Sequence, residues 1–246
     1  LTAADLWIRC FHPSPRSDVQ VVCFPHAGGS ASYYRPLSGA LSPSAEMLAV
    51  QYPGRQDRYN EPPVTDIHLL ADQIADVLGR PGDRPRAFFG HSMGATVAFE
   101  VARRLTSGAP IVLFASGRRA PSSNRHETRH LLGDDELVTV LDELSGTDAA
   151  VLEDKDLREL VLPVVRSDYR AIETYRYTGG PPLDCPIVAF TGDADPMTSL
   201  EEARAWSEHT RAGFELRVFP GGHFFVGDDQ AAVAQAILEA LRKVHA

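Results

Sequence analysis

Ser92 lies in the run Phe89-Gly90-His91-Ser92-Met93-Gly94, a G-x-S-x-G frame whose two glycines permit a turn that most residues could not make. Such a turn holds a serine hydroxyl clear of the backbone, where it can attack a carbonyl carbon. A hydroxyl is a poor nucleophile at neutral pH, so this chemistry needs a base within hydrogen-bond reach and an acid that orients the base. Among nine histidines, His223 stands out, because Pro220-Gly221-Gly222-His223-Phe224-Phe225 is a glycine-rich loop directly after a strand-like run and before a terminal helical pattern. His91, inside the turn, is expected to point away from the nucleophile, and His12, His68, His126, His130, His209 and His245 have surface-like neighbours.

The acid is expected at a strand end between Ser92 and His223, since nucleophile, acid, histidine is the chain order of α/β-hydrolases. Ile187-Val188-Ala189-Phe190-Thr191-Gly192-Asp193-Ala194-Asp195-Pro196 supplies two carboxylates there. Asp193 follows a glycine at once and suits a turn-forming or capping role, whereas Asp195, ahead of a proline that restrains its backbone, is the better fit. Cleavage of an ester or thioester passes through a tetrahedral oxyanion, which needs preorganised N–H donors. The backbone amide of Met93, opening the helix after the turn, is one candidate. The second is Ala27, because Pro25-His26-Ala27-Gly28-Gly29-Ser30 resembles the histidine-glycine oxyanion loop of esterases. His26 is expected to shape that loop without touching substrate.

These residues need elements that carry them. Short β-rich runs at Leu6 to Phe11, Val19 to Phe24, Leu48 to Tyr52, Arg86 to Phe89, Ile111 to Ala115, Ile187 to Thr191 and Phe214 to Phe219 alternate with helical patterns. That rhythm predicts an α/β fold with a mostly parallel central sheet flanked by helices. Leu69, Leu70, Gln73, Ile74 and Val77 form one apolar stripe, and Ala231, Val233, Ala234, Ile237, Leu238 and Leu241 another. From about Gly117 to Gly180 the strand signals vanish. This stretch is first rich in arginine (Arg118, Arg119, Arg125, Arg129) and then helical, with Leu137, Val140, Leu141 and Leu144 in one stripe and Leu157, Leu160, Val161 and Val164 in the next. Pro163 is expected to bend or break the second. So long an insertion reads as a helical lid over the carboxyl edge of the sheet, within a single domain spanning 1–246.

Composition narrows the function classes. With 246 residues, 43% hydrophobic and 23% charged, the chain suits one folded enzyme-sized domain. A net charge of −9 opposes binding to nucleic acid, which calls for a concentrated basic surface. No apolar run approaches the roughly 20 residues needed to cross a bilayer, so no membrane partner is expected. Cys10, Cys23 and Cys185 are odd in number and far apart, which argues against a disulfide framework or metal cluster and for a reducing cytoplasm.

With these residues in view, the chain resembles the type II, or external editing, thioesterases of polyketide and nonribosomal peptide assembly lines. The blocks that carry the resemblance are Pro25-His26-Ala27-Gly28-Gly29-Ser30, Gln51-Tyr52-Pro53-Gly54-Arg55, Gly90-His91-Ser92-Met93-Gly94-Ala95 with Phe99-Glu100, Ser116-Gly117-Arg118-Arg119-Ala120-Pro121, Leu162-Pro163-Val164-Val165-Arg166-Ser167-Asp168, Gly192-Asp193-Ala194-Asp195-Pro196 and Gly221-Gly222-His223-Phe224-Phe225. They span nearly the whole chain in family order. One departure is Ser167, where the family usually has alanine before its aspartate. The resemblance implies an α/β-hydrolase fold, a triad of Ser92, Asp195 and His223, and oxyanion donors at Ala27 and Met93. It implies hydrolysis of aberrant or stalled acyl groups from the phosphopantetheine thiol of carrier proteins or carrier domains. No cofactor or metal is then needed, since the phosphopantetheine belongs to the substrate. Arg118, Arg119, Arg125 and Arg129 are candidates for docking the carrier, and Leu137 or Leu141 for lining an acyl pocket.

Rival readings are weaker. Acyltransferases that load malonyl groups also use Gly-His-Ser-x-Gly, but they usually have glutamate where Ala95 stands and lack a late Gly-Asp-x-Asp-Pro block. A general carboxylesterase or lipase, or a chain-releasing thioesterase, would share the triad. A binding module on a hydrolase scaffold would typically have lost one of its members.

Overall fold

The computed structural model describes residues 6–79, 82–123, 125–144 and 154–245. The parts of the expected domain and lid at 1–5, 80–81, 124, 145–153 and 246, and the side chain of His245, lie outside the described residues.

Seven strands form one sheet: β1 (Ile8–Arg9), β2 (Gln20–Phe24), β3 (Glu46–Val50), β4 (Arg86–His91), β5 (Leu113–Ser116), β6 (Ile187–Gly192) and β7 (Phe214–Phe219). Their spatial order is β1-β3-β2-β4-β5-β6-β7, and only β1 runs antiparallel to its neighbour. The central strands read as continuous apolar runs because both faces are covered. Val22, Phe24 and Phe88 face one core, and Val21, Cys23 and Phe89 the other. The first core is closed by α2 (Ile67–Leu78), α3 (Met93–Arg104), α4 (Asp134–Leu144) and α5 (Lys155–Thr174). The second is closed by α1 (Arg35–Leu41), α7 (Phe225–Asp228) and α8 (Gln230–His245), while the short α6 (Leu200–Arg204) follows β6.

Strand order sets the position of the site. From β2 the chain moves outward to β3, then returns to place β4 on the other side of β2, so the order reverses between β2 and β4. Ligands of open parallel sheets bind at such a switch point, outside the carboxyl ends of the strands. Phe24 pairs with Gly90, so the loop behind β2 and the turn behind β4 leave the sheet at one level.

Several expected boundaries move. The first strand shrinks to Ile8–Arg9: it is an edge strand, and Pro13 and Pro15 cannot extend the ladder. The third starts at Glu46, whose carboxylate is held by the Ser14 amide, the Gln20 side chain and Arg84. It ends at Val50, ahead of Pro53. The buried stripe of α2 is Ile67, Leu70, Ala71, Ile74 and Leu78, leaving Leu69 51% exposed. Pro163 neither breaks nor ends its helix. The chain runs helical from Lys155 to Thr174 through it, packed on the core by Leu162, Val165, Tyr169 and Ile172, while Leu157 and Leu160 are exposed. His209 is buried rather than superficial, enclosed by Phe99, Tyr177 and Trp206, with Nε2 2.9 Å from Ser122 Oγ.

Candidate active site

Ser92 joins β4 to α3 with φ 54° and ψ −121°, a backbone region that non-glycine residues occupy only under constraint. The constraint comes from both flanks. The Ser92 amide donates to Ser116 O at 2.8 Å, and the Ala95 amide to Ser92 O at 3.0 Å. A Cβ on Gly90 would collide with the Gly94 carbonyl, and one on Gly94 with the carbonyl of Phe24. The motif glycines therefore let backbone touch backbone, and the second brings the end of β2 against the turn.

His223 Nε2 stands 3.0 Å from Ser92 Oγ, and His223 Nδ1 stands 3.0 Å from each carboxylate oxygen of Asp195. The Met197 amide donates to Asp195 Oδ1 at 2.7 Å, which fixes the carboxylate. Both side chains are nearly closed to solvent, at 4% and 0% exposed for His223 and Asp195. Asp193 turns elsewhere: its Oδ1 accepts the Gly221 amide at 2.9 Å and so braces the loop that carries His223. His91 points under the site, with Nδ1 2.9 Å from Ser116 Oγ. Burial, together with the neighbouring His223 and His26, pushes its pKa well below the ordinary histidine value, so it stays neutral.

The loop behind β2 brings Ala27 into one cavity with Ser92, Met93 and His223. Two buried hydroxyls hold its root, Tyr34 donating to Phe24 O at 2.8 Å and Tyr52 to Pro25 O at 3.2 Å. The His26 ring packs edge-on against Tyr33 and Phe224, and burial followed by the nearby His223 and Arg55 lowers its pKa to about 3. His26 lines both the cavity and an open apolar groove of about 920 Å³ on the far side of the loop.

Leu141 and Leu144 of α4, Tyr169 and Ile172 of α5, Met197 and Phe224 supply the apolar walls of the cavity. Its free volume is only about 30 Å³, room for a water molecule or two. The expected docking arginines turn mostly inward. Arg119 is buried against Glu127, Arg129 is bonded to Glu127 and Met197 Sδ, and Arg118 lines the cavity, where burial and then the charge of Arg119 lower its pKa to about 9. Arg125 is the exposed member, paired with Glu202 at 2.6 Å.

The thioesterase domain family matches residues 19–243, which take in every residue of this site. The chain belongs to that family. This thioesterase is 48% identical over 240 residues to a probable cadicidin biosynthesis thioesterase of Streptomyces griseus, an alignment covering 97% of the chain and 66% of that relative's length. It is 46% identical over 242 residues to the thioesterase PikA5 of Streptomyces venezuelae, covering 97% and 86% of the two. It superimposes on the type II thioesterase BorB from the borrelidin biosynthetic cluster with a TM-score of 0.89 at 50% identity, over 97% and 99% of the two chains. The fold is that of the α/β-hydrolases.

Two residues that hold the Ala27 loop had no assigned task in the sequence. Arg55 and Asp168 sit inside recognised blocks, yet their contact with each other and with the Ala27 loop needs the fold to bring them together. The signal was present as a charged residue at the end of each block, an arginine after Gln-Tyr-Pro-Gly and an aspartate after Arg-Ser.

Proposed function

We propose that this thioesterase hydrolyses misprimed or stalled acyl groups from the phosphopantetheine thiol of carrier proteins or carrier domains in a polyketide or nonribosomal peptide assembly line. The observation that carries this reading is the continuous chain from Ser92 Oγ through His223 to Asp195, at 3.0 Å each step, in a chain so similar to thioesterases of such clusters. His223 takes the proton of Ser92 as the hydroxyl attacks the thioester carbonyl, and Asp195 holds the imidazole and stabilises its cationic form. The amides of Ala27 and Met93 receive the oxyanion. Collapse breaks the C–S bond, His223 returns the proton to the departing thiolate, and an acyl-Ser92 ester remains. A water deprotonated by His223 then cleaves the ester, releasing the acid and regenerating Ser92. The phosphopantetheine belongs to the substrate, and no cofactor enters these steps.

The segment 117–180 serves as the lid, with α4 and α5 roofing the acyl site. Three free cysteines suit a reducing compartment, consistent with a cytoplasmic enzyme, and no described helix is long and apolar enough to cross a membrane. The test is Ser92→Ala assayed on a panel of acyl-carrier proteins with short, branched and long chains. Turnover should fall by about a millionfold with unchanged thermal unfolding, and fluorophosphonate labelling should vanish. Near-full hydrolysis by the variant would end this assignment, and a preference for oxygen esters over carrier thioesters would favour a general esterase.

A further inference from the structure

Arg55 and Asp168 form a buried fork beside the loop of Ala27. Arg55 Nη1 donates to Asp168 Oδ2 at 2.8 Å and Nη2 to Oδ1 at 2.9 Å, with side chains 7% and 2% exposed. Each partner also bonds the loop. Asp168 Oδ2 accepts the Gly28 amide at 2.8 Å, and Arg55 Nη1 donates to Gly29 O at 3.1 Å. Gln51 completes the frame, accepting the Ala31 amide at 2.9 Å and donating to Arg55 O at 3.1 Å. Gly28 has φ +75°, and a Cβ on it would come 2.6 Å from Val165 Cγ2, so the loop lies against α5 with no spare room.

Burying two charges is costly, and an apolar pair of similar volume would often stabilise a fold as well. What an apolar pair lacks is direction. A bidentate ion pair bonded to successive backbone groups fixes both the position and the tilt of those peptide planes. The Gly28 amide held by Asp168 shares its peptide unit with the Ala27 carbonyl, and the Ala27 amide, the proposed oxyanion donor, lies in the unit immediately before it. We propose that Arg55 and Asp168 are positioning residues for catalysis: they tie the Ala27 loop to α5 and hold the Ala27 amide in register with Ser92. This rests on the reading of Ala27 as an oxyanion donor. Neither residue lines the cavity around Ser92, so the effect passes through the loop.

The experiment uses Asp168→Asn, which keeps the shape and an acceptor but loses the charge, Asp168→Ala, which loses both, and Arg55→Lys, which keeps the charge but not the fork. The substrate is an acyl-N-acetylcysteamine thioester. The inhibitor is an acyl trifluoromethyl ketone, whose adduct with Ser92 places an alkoxide in the oxyanion site. The kcat is expected to fall about 100-fold in Asp168→Ala and about 10-fold in Asp168→Asn and Arg55→Lys, with KM within about twofold of the parent. Ketone affinity should fall in proportion to kcat/KM. A purely structural role would lower the melting temperature while leaving kcat and ketone affinity of the folded enzyme unchanged, and that result overturns the proposal. So does a raised KM with kcat intact. If Asp168→Ala does not fold, the Asn and Lys variants decide. Unchanged kcat in these, with activity lost in Ser92→Ala, rejects the positioning role and leaves the serine reading standing; activity retained in Ser92→Ala rejects the reading beneath it.

Discussion

Asp193 and Asp195 leave the same strand end two residues apart, yet one braces a backbone amide and the other meets an imidazole. The distinction is testable by substitution. Asp195→Asn should lower kcat by about 10⁴-fold, because the amide stabilises the wrong histidine tautomer and no longer supports its cation. Asp193→Ala should cost no more than about 10-fold, acting only through a slackened Gly221 loop. Steady-state kinetics on one thioester separates the two, and comparable losses would contradict the roles. His26 yields a pH prediction. Its pKa is about 3 in the fold, against an ordinary value near 6.5. Between those values the unfolded chain binds a proton that the native state does not, so stability falls as pH drops from about 6.5 towards 3. His91 is lowered in the same direction and adds to the slope. His26→Phe, apolar between Tyr33 and Phe224, should make the dependence of unfolding free energy on pH shallower by up to one proton. An unchanged slope would show that His26 does not titrate across this window.

At the scale of elements, α5 is the telling case. Periodicity located a helix there with Leu157, Leu160, Val161 and Val164 inward; Val161 and Val164 do pack inward, Leu157 and Leu160 are exposed, and the buried face extends round to Leu162, Val165, Asp168, Tyr169 and Ile172. A buried aspartate does not look like core in a hydropathy pattern, so Asp168 carries no apolar signal although it follows Val164 by one turn on the same face. The helix also continues through Pro163 without a break. Interior proline costs about 3 kcal/mol, and tertiary packing of the helix on the core outweighs that cost. Pro163→Ala restores a backbone donor and should raise stability by about 1–3 kcal/mol in urea denaturation. Thioester hydrolysis should be unaffected, because Pro163 lines the outer groove and not the cavity at Ser92. A loss of stability would mean that the proline holds a contact that alanine cannot replace.

For the whole molecule, the governing quantity is a net charge of −9. Carrier domains are commonly acidic as well, and the arginines once available for docking are mostly spent on internal partners. Association with a carrier, the partner proposed above, would then work against like-signed fields, which salt screens. Raising ionic strength should therefore increase kcat/KM for an acyl-carrier protein and leave that for an acyl-N-acetylcysteamine thioester flat. A steep fall with salt would reveal a basic docking surface instead.

The amino-acid sequence by itself determined the strand-turn-helix around Ser92, the order serine, aspartate, histidine, the alternation that builds a mostly parallel sheet, and the family. All of these are written in short-range terms: glycines where backbones must touch, apolar runs where both faces are buried, loops behind strands. Tertiary structure alone decided that Asp193 braces the Gly221 amide, how far round α5 the buried face extends, and that most of the arginines after β5 turn inward. It also brought Arg55 to Asp168, 113 residues away. These are contacts between distant segments, set by strand order and side-chain direction, and neither quantity is carried by the spacing of residues along the chain.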